Sequence, residues 1–223
     1  MVQMNLDLFC DELTALLADS LGTGAVEGAL AETLAFCAAE AEALCSGRPM
    51  ACGRGCPHCC VLNVAVLLPE ALLIAERITG QWADAERGEL LQRLVRHSNW
   101  ARWMDDEERI FRQAFCPLLA VDGSCSIHPL RPLACRGVAS LDGDCCRQAF
   151  DPIISDRDRS VPADLQRRRA YDAAFIAMAR ALGQHGLDDR SIDLGTGIRA
   201  FAEVPELRKL FFSGGRLPRE LWG

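Results

Sequence analysis

The chain has 223 residues, of which 50% are apolar, and its formal net charge is -7. This length is enough to bury one core, so we expect a single domain over residues 1–223. The densest basic run, from Arg167 to Arg169, lies near acidic residues. An acidic chain with a mixed surface lacks the basic face that phosphate binding needs, which argues against a nucleic-acid partner.

The chain begins with a segment that has no basic start followed by an apolar run, so we expect no secretory signal. No stretch approaches the ~18 continuous apolar residues that a membrane-spanning helix needs. We therefore predict a cytoplasmic protein with no membrane partner. Cytoplasmic thiols are kept reduced, so clustered cysteines in such a protein indicate metal or redox chemistry rather than disulfides.

Two helices are predicted in the first 46 residues. Apolar side chains recur at steps of three and four residues over 6–17 and again over 26–44, and Gly22 and Gly24 separate the two runs. Residues 46–60 are rich in glycine and proline and predict an irregular segment, the first cysteine loop. Residues 61–68 fit either a short strand or an extended lead-in to a helix. Pro69 and Glu70 then open a helix that reaches about Ile78.

The second half of the chain alternates between helical and irregular segments. Residues 84–115 predict one long helix or two joined helices. Residues 116–151 contain several prolines and glycines and predict a second irregular segment, the second cysteine loop. Residues 156–159 alternate in charge and predict a solvated loop, and residues 165–182 and 198–212 predict closing helices. The charge run from Asp105 to Glu108 is explained by a solvated helical face.

These elements predict a mainly α fold, in which a helical scaffold carries two irregular cysteine-rich metal-binding loops. The cysteine-cluster core spans about 48–150, and N-terminal (1–47) and C-terminal (160–223) helices flank it. Nine of the twelve cysteines lie between Cys52 and Cys146. Cysteines that serve only as small core residues should not cluster in this way, so we expect most of them to be ligands.

The first cysteine loop carries four cysteines, which are adjacent or have two or three residues between them: Cys52, Cys56, Cys59 and Cys60. A bent backbone can turn such sulfurs to one point, as tetrahedral zinc or the corner of a cluster requires. An adjacent pair binds one tetrahedral ion only with strain, so it suits two metals or a cluster. The same C-x3-C-x2-C spacing occurs in radical S-adenosylmethionine enzymes, but those need βα units, and this chain is helical around the motif.

The second cysteine loop carries five more: Cys116, Cys125, Cys135, Cys145 and Cys146. Arg131 and Arg136 flank Cys135, and positive charge there would lower thiolate pKa values or simply pair with carboxylates. The two loops together could form one large site or two small ones, and we expect the helices between them to bring them together.

The remaining cysteines and the histidines have weaker signals. Cys10 and Cys37 are most simply core residues. His97 and His185 lie on polar helical segments and are predicted at the surface. Cys45, close to the first loop, and His58, between its ligands, are open candidates for the site.

The segment from Cys52 to Cys60, followed by Pro69-Glu70-Ala71 and then by the run from Cys116 to Gly137, resembles the CxxCxxCC family of zinc- or iron-chelating domains, the YkgJ-like cysteine-cluster proteins. The resemblance covers about Cys52 to Cys146. The last family cysteine fits Cys146 better than Cys145. This chain has His128 where relatives usually have tyrosine. The histidine would add a nitrogen ligand or have no effect.

The resemblance implies a protein that binds an iron–sulfur cluster, zinc or iron through thiolates. The expected ligands are Cys52, Cys56, Cys59, Cys60, Cys116, Cys125, Cys135 and Cys146. Some family members are linked to flagellin lysine methylation, so an iron–sulfur-dependent enzyme that modifies a protein substrate is one alternative. A zinc-stabilised module that binds a protein partner is another. The sequence does not decide whether the site is catalytic, redox-active or structural.

Overall fold

Helices dominate the fold, as predicted. The computed structural model describes residues 5–22, 25–153 and 161–222, and within these residues the chain forms ten α-helices and two short strands. The helices are α1 (Leu6–Gly22), α2 (Val26–Ala43), α3 (Leu68–Gln81), α4 (Asp84–Ala101), α5 (Asp106–Phe111), α6 (Leu133–Gly137), α7 (Gly143–Ala149), α8 (Leu165–Gln184), α9 (Leu194–Glu203) and α10 (Glu206–Phe212). The strands are β1 (Ala65–Leu67) and β2 (Ser191–Asp193).

A bundle of α1, α2 and α8 forms one side of the core. The two N-terminal helices bury side chains at the predicted steps of three and four residues, and α2 repeats the buried positions of α1 at a spacing of twenty residues, as with Cys10 and Leu30 or Leu17 and Cys37. The facing helix α8 buries five alanines, Ala170, Ala173, Ala174, Ala177 and Ala181. Small side chains on α8 allow its partners to approach closely.

The other side of the core is built around α3 and α9. β1 pairs with β2 in antiparallel register, with Val66 opposite Ile192, and each strand leads directly into its helix. A Cβ at Gly197 would lie 2.7 Å from Cγ2 of Ile192 and 2.8 Å from Cβ of Ala71, so only glycine lets α9 pack this closely on α3. Residues 61–68 fitted either a short strand or an extended lead-in to a helix, and the segment contains the strand β1. The sequence did not predict β2.

The predicted boundaries are partly right. Residues 84–115 form two helices, α4 and α5, which is one of the two predicted alternatives, although residues 102–105 separate them, and Phe111 at the end of α5 is 69% exposed. Residues 198–212 are divided at Pro205, which cannot donate a backbone hydrogen bond, and α9 begins four residues earlier, at Leu194. The second cysteine loop is not wholly irregular, because it contains α6 and α7. The predicted loop at 156–159 lies outside the described residues.

The apolar core runs from Cys10 in α1 to Leu217 near the C-terminus and includes side chains of α2, α3, α4, α8 and α9. None of the described helices combines the length and the apolar character that crossing a membrane requires.

Candidate metal centre

The two cysteine loops lie side by side. The backbone N–H of Cys116 donates to the carbonyl of Cys60 at 2.7 Å, so the start of the second loop is bonded to the end of the first. At the other end of the first loop, Ala51 donates to the carbonyl of Ser140 at 2.9 Å, and the Ser140 N–H donates to Sγ of Cys52 at 3.3 Å. These contacts join segments that are 56 or more residues apart in the chain.

A turn of the second loop packs directly on the first. Gly123 and Gly55 both adopt positive φ, at 78° and 83°. A Cβ at Gly123 would lie only 2.9 Å from the carbonyl oxygen of Gly55, so this contact needs glycine both for its backbone conformation and for its space. Leu119 and Cys125 pair as an antiparallel bridge on either side of the turn, which places Cys125 next to this contact.

The adjacent pair Cys59–Cys60 lies in a single 3-10 turn, His58–Val61, and both residues are partly buried. A side-chain hydrogen bond with Cys60 and the positive charge of Arg131 lower the pKa of Cys59 to about 7. The same hydrogen bond, together with burial, raises the pKa of Cys60, and the charges of Cys116 and Cys135 raise it further. The pair is thus in electrostatic reach of the second loop.

The thiols of the second loop are mostly withdrawn from water. Burial raises the pKa of Cys116 to about 12, and the neighbouring charge of Cys125 adds to that rise. Burial also raises the pKa of Cys135, on which the charges of Cys116, Cys59 and Cys125 act as well. A buried thiol of this kind ionises readily only beside a cation, so a bound metal ion would favour all three thiolates.

Of the last two cysteines, Cys146 is turned toward the first loop. Cys146 is buried on α7. Burial raises its pKa to about 12, and the charges of Cys59, Cys56 and Cys52 contribute to that rise. Cys145 lies on another side of α7, where desolvation and a hydrogen bond with Asp142 raise its pKa. The side chain of Asp142 also caps α7 by accepting from the N–H of Cys145 at 3.0 Å.

The two arginines that flank Cys135 shape the second loop rather than pairing with carboxylates of the described chain. Arg131 donates through Nη2 to the carbonyl of Cys135 at 2.6 Å. Arg136 donates through Nε to the carbonyl of Arg131 at 2.7 Å and through Nη2 to that of Pro129 at 2.9 Å. Both cations are therefore fixed by backbone oxygens beside the thiols.

Two carboxylates hold the surroundings of the loops, and the sequence interpretation missed both roles. Glu70 is 7% exposed, and its two oxygens accept from the N–H groups of Leu67 at 2.9 Å and Leu133 at 2.8 Å, which ties the start of α3 to the start of α6. A glutamate at the third position of a predicted helix is the available signal for such a cap. Asp106 accepts from the N–H of Asn63 at 2.7 Å. The charge run from Asp105 to Glu108 therefore does not only face solvent, because it also connects α5 to the segment that follows the first cysteine loop.

The other candidates lie in other surroundings. Cys10 and Cys37 are buried in the bundle, as predicted. Cys45 is 3% exposed, and the groups that act on its thiol are Arg167, Glu42, Asp164 and Arg48 rather than the loop cysteines. His58 is partly buried and His128 is exposed.

The two helical histidines are only partly at the surface. Nε2 of His97 lies 3.4 Å from the carbonyl oxygen of Ala114, and Nε2 of His185 lies 2.9 Å from that of Ala18. His185 thereby connects the end of α8 to α1.

The donor set suits a thiophilic metal, because eight thiols from two adjoining loops match the ligand chemistry of zinc and of iron–sulfur clusters. All twelve cysteines lie in described residues as free thiols. Across residues 5–22, 25–153 and 161–222, no three Cys, His, Asp or Glu side chains are arranged to hold a metal ion. Comparisons with protein-family profiles, with curated proteins and with solved structures found no match, so the family resemblance rests on the sequence motif alone.

Proposed function

We propose that the protein binds a metal centre through thiolates of both cysteine loops. The ligands in this proposal are Cys52, Cys56, Cys59, Cys60, Cys116, Cys125, Cys135 and Cys146. The observation that supports it best is the backbone contact between Cys60 and Cys116, with an N···O distance of 2.7 Å, which brings two distant cysteine-rich segments together. A family resemblance to cysteine-cluster proteins that chelate zinc or iron points to the same chemistry.

Among the possible centres, we favour an iron–sulfur cluster over a single zinc ion. The proposed ligands are all cysteines, include an adjacent pair, and lack the paired C-x2-C motifs of ordinary zinc ribbons. Four thiolates on one zinc ion leave two excess negative charges in a chain that is already acidic. A cluster distributes that charge over several metal and sulfide ions, and Arg131 and Arg136 lie beside the thiols to offset the rest.

The identity of the metal is tested by purifying the protein anaerobically and measuring iron, zinc and acid-labile sulfide together with the visible spectrum. We expect iron and sulfide in comparable amounts and a coloured protein, either as purified or after reconstitution. Protein that takes up zinc but neither iron nor sulfide would make the preference for iron–sulfur wrong. Protein that takes up no metal at all would make the proposed function wrong.

The contribution of both loops is tested with one variant in each, Cys59→Ser and Cys125→Ser. We expect each variant to lose most of the metal, because a centre that spans both loops needs ligands from both. Cys10→Ser, a cysteine in the bundle, is the matched control and should keep the wild-type metal content. Full metal content in Cys125→Ser would restrict the site to the first loop.

A further inference from the structure

A groove at the edge of the cysteine cluster lies between α4 and the start of the second cysteine loop. Arg93, Arg96, His97 and Trp100 line one wall, at the i, i+3, i+4 and i+7 positions that share one helical face. The opposite wall is formed by Phe115, Cys116, Pro117 and Leu119. The groove has a volume of about 470 Å³, which falls in the range of ~300–1,000 Å³ found for small-molecule sites.

The face of α4 that lines the groove is not the face that packs in the protein. The core side of α4 carries Leu90, Leu94, Ser98 and Ala101, which are all buried. In contrast, Trp100 is 48% exposed and Phe115 across the groove is 37% exposed. A helix normally needs one apolar stripe to pack, so the stripe that carries Arg93, Arg96 and Trp100 is not needed to pack α4 on the core.

The two guanidinium groups of the groove have no acceptor among the described residues. Nε of Arg93 is buried and has no hydrogen-bond partner among the described residues. No carboxylate of the described chain forms an ion pair with Arg93 or with Arg96, whereas many other arginines of the protein have one, as Arg87 does with Asp84. Because Nε of Arg93 is closed to solvent, a group in the groove would reach Arg93 only through its terminal nitrogens, which have no acceptor among the described residues either.

We propose that this groove binds a small organic carboxylate with an aromatic body. The carboxylate would accept hydrogen bonds from Arg93 and Arg96, and the ring would pack between Trp100 and Phe115. An inorganic anion would leave the aromatic walls uncovered, and a neutral ring would leave both guanidinium groups without an acceptor. Because Cys116 also lines the groove, such a ligand would lie next to the second cysteine loop. The proposal does not depend on which metal, if any, the loops bind.

Binding is tested by titration calorimetry on the purified full-length protein with three probes: 2-naphthoate, its uncharged analogue 2-naphthamide, and acetate. We expect 2-naphthoate to bind at least about tenfold more tightly than either of the others, a factor equivalent to about 1.4 kcal/mol. Equal binding of the acid and the amide would overturn the proposal, because the arginines would then have no part in recognition. Undetectable binding of 2-naphthoate would overturn it as well.

Variants place the binding in this groove. Arg96→Gln changes an exposed side chain and should reduce the preference for the acid over the amide, because Arg93 alone then pairs with the carboxylate. Trp100→Leu should weaken the binding of both 2-naphthoate and 2-naphthamide. Arg169→Gln, an exposed arginine on α8 that does not line the groove, should bind all three probes like the wild type. Melting curves confirm that each variant folds. Wild-type selectivity in a folded Arg96→Gln protein would show that 2-naphthoate binds elsewhere.

Discussion

The bundle of α1, α2 and α8 and the pair of cysteine loops are stabilised by different kinds of contact. In the bundle, apolar side chains such as Leu17 and Leu30 are fully buried at regular helical spacing. The loops also bury Leu118, Ile127 and Leu133 in the core, but the contacts that join the two loops to each other include backbone hydrogen bonds, as between Cys116 and Cys60, and a close approach at Gly123. The helices of the bundle therefore follow from local periodicity, whereas the geometry of the loops depends on contacts between segments and, in our proposal, on a metal.

Because of that difference, a cysteine in the loops should matter far more to stability than a cysteine in the bundle. We expect Cys56→Ser to lower the free energy of unfolding by several kcal/mol, because binding energy at a structural metal site is folding energy and such sites supply about 10–16 kcal/mol in small metal-dependent domains. Cys10→Ser changes one buried atom and should cost about 1 kcal/mol. Thermal unfolding of the metal-loaded proteins measures both.

A chelator should lower the stability of the wild type toward that of Cys56→Ser and leave the variant nearly unchanged. Equal melting temperatures for the wild type and Cys56→Ser would argue against a structural metal, even if the protein contains one. That result would also remove the contrast between loops and bundle, since both would then be stabilised by the polypeptide alone.

A second prediction concerns Glu70, which connects α3 to the second cysteine loop. Burial raises its pKa from 4.5 to about 7, even though the N–H groups of Leu133 and Leu67 and the charge of Arg136 favour the ionised form. The folded protein therefore holds a proton at pH values where the unfolded chain has released it. Stability contributed by this group is full below pH 4.5 and declines as the pH rises to about 7; the shift corresponds to about 3 kcal/mol.

Glu70→Gln removes the titrating group and keeps one oxygen acceptor. Urea unfolding at several pH values should show two effects. The missing acceptor costs the variant about 1–3 kcal/mol. Between pH 5 and pH 8 the wild type loses up to about 3 kcal/mol that the variant does not lose, so the variant gains that amount relative to the wild type. Faster amide exchange at Leu133 in the variant would locate that loss at the contact between α3 and α6. Parallel pH profiles for the two proteins would contradict the prediction.

The accuracy of the sequence predictions also differs between the bundle and the cysteine loops. The helices of the bundle and α3 have the right type and nearly the right ends, because their periodicity is local. β2, α6 and α7 were missed, since β2 exists only through its pairing with β1 and α7 depends on the Asp142 cap. The cysteines of the two loops were recognisable from their spacing. The contacts of Glu70 with Leu133 and of Asp106 with Asn63 were not, because these partners are 63 and 43 residues away.

The smallest expected effect concerns Arg167, which joins the bundle to the second cysteine loop. From α8 it donates through Nη1 to Glu42 of α2 at 2.9 Å and through Nε to the carbonyl of Arg136 in α6 at 2.8 Å. The Tyr171 hydroxyl donates to the same carboxylate at 2.6 Å. Replacing Arg167 with methionine keeps the buried volume but leaves both acceptors without this donor. Because the Glu42 side chain is 49% exposed and can regain water, we expect a loss of only about 2 kcal/mol.

Arg168→Met is the matched control for this change. Arg168 neighbours Arg167, but it is half exposed and pairs with Asp172 one turn away, a contact worth about 0.3–0.5 kcal/mol. The hydrogen bond from Arg167 lowers the pKa of Glu42 from 4.5, so the contribution of the ion pair is full above pH 4.5 and is lost as the pH falls through the lowered value. The difference in stability between Arg167→Met and the wild type should therefore shrink in acid.

If Arg167 couples the two regions, amide exchange in Arg167→Met should accelerate in α6 more than in α1. Equal acceleration in both helices would mean that the bundle and the loops unfold as one unit, which would contradict the contrast between them.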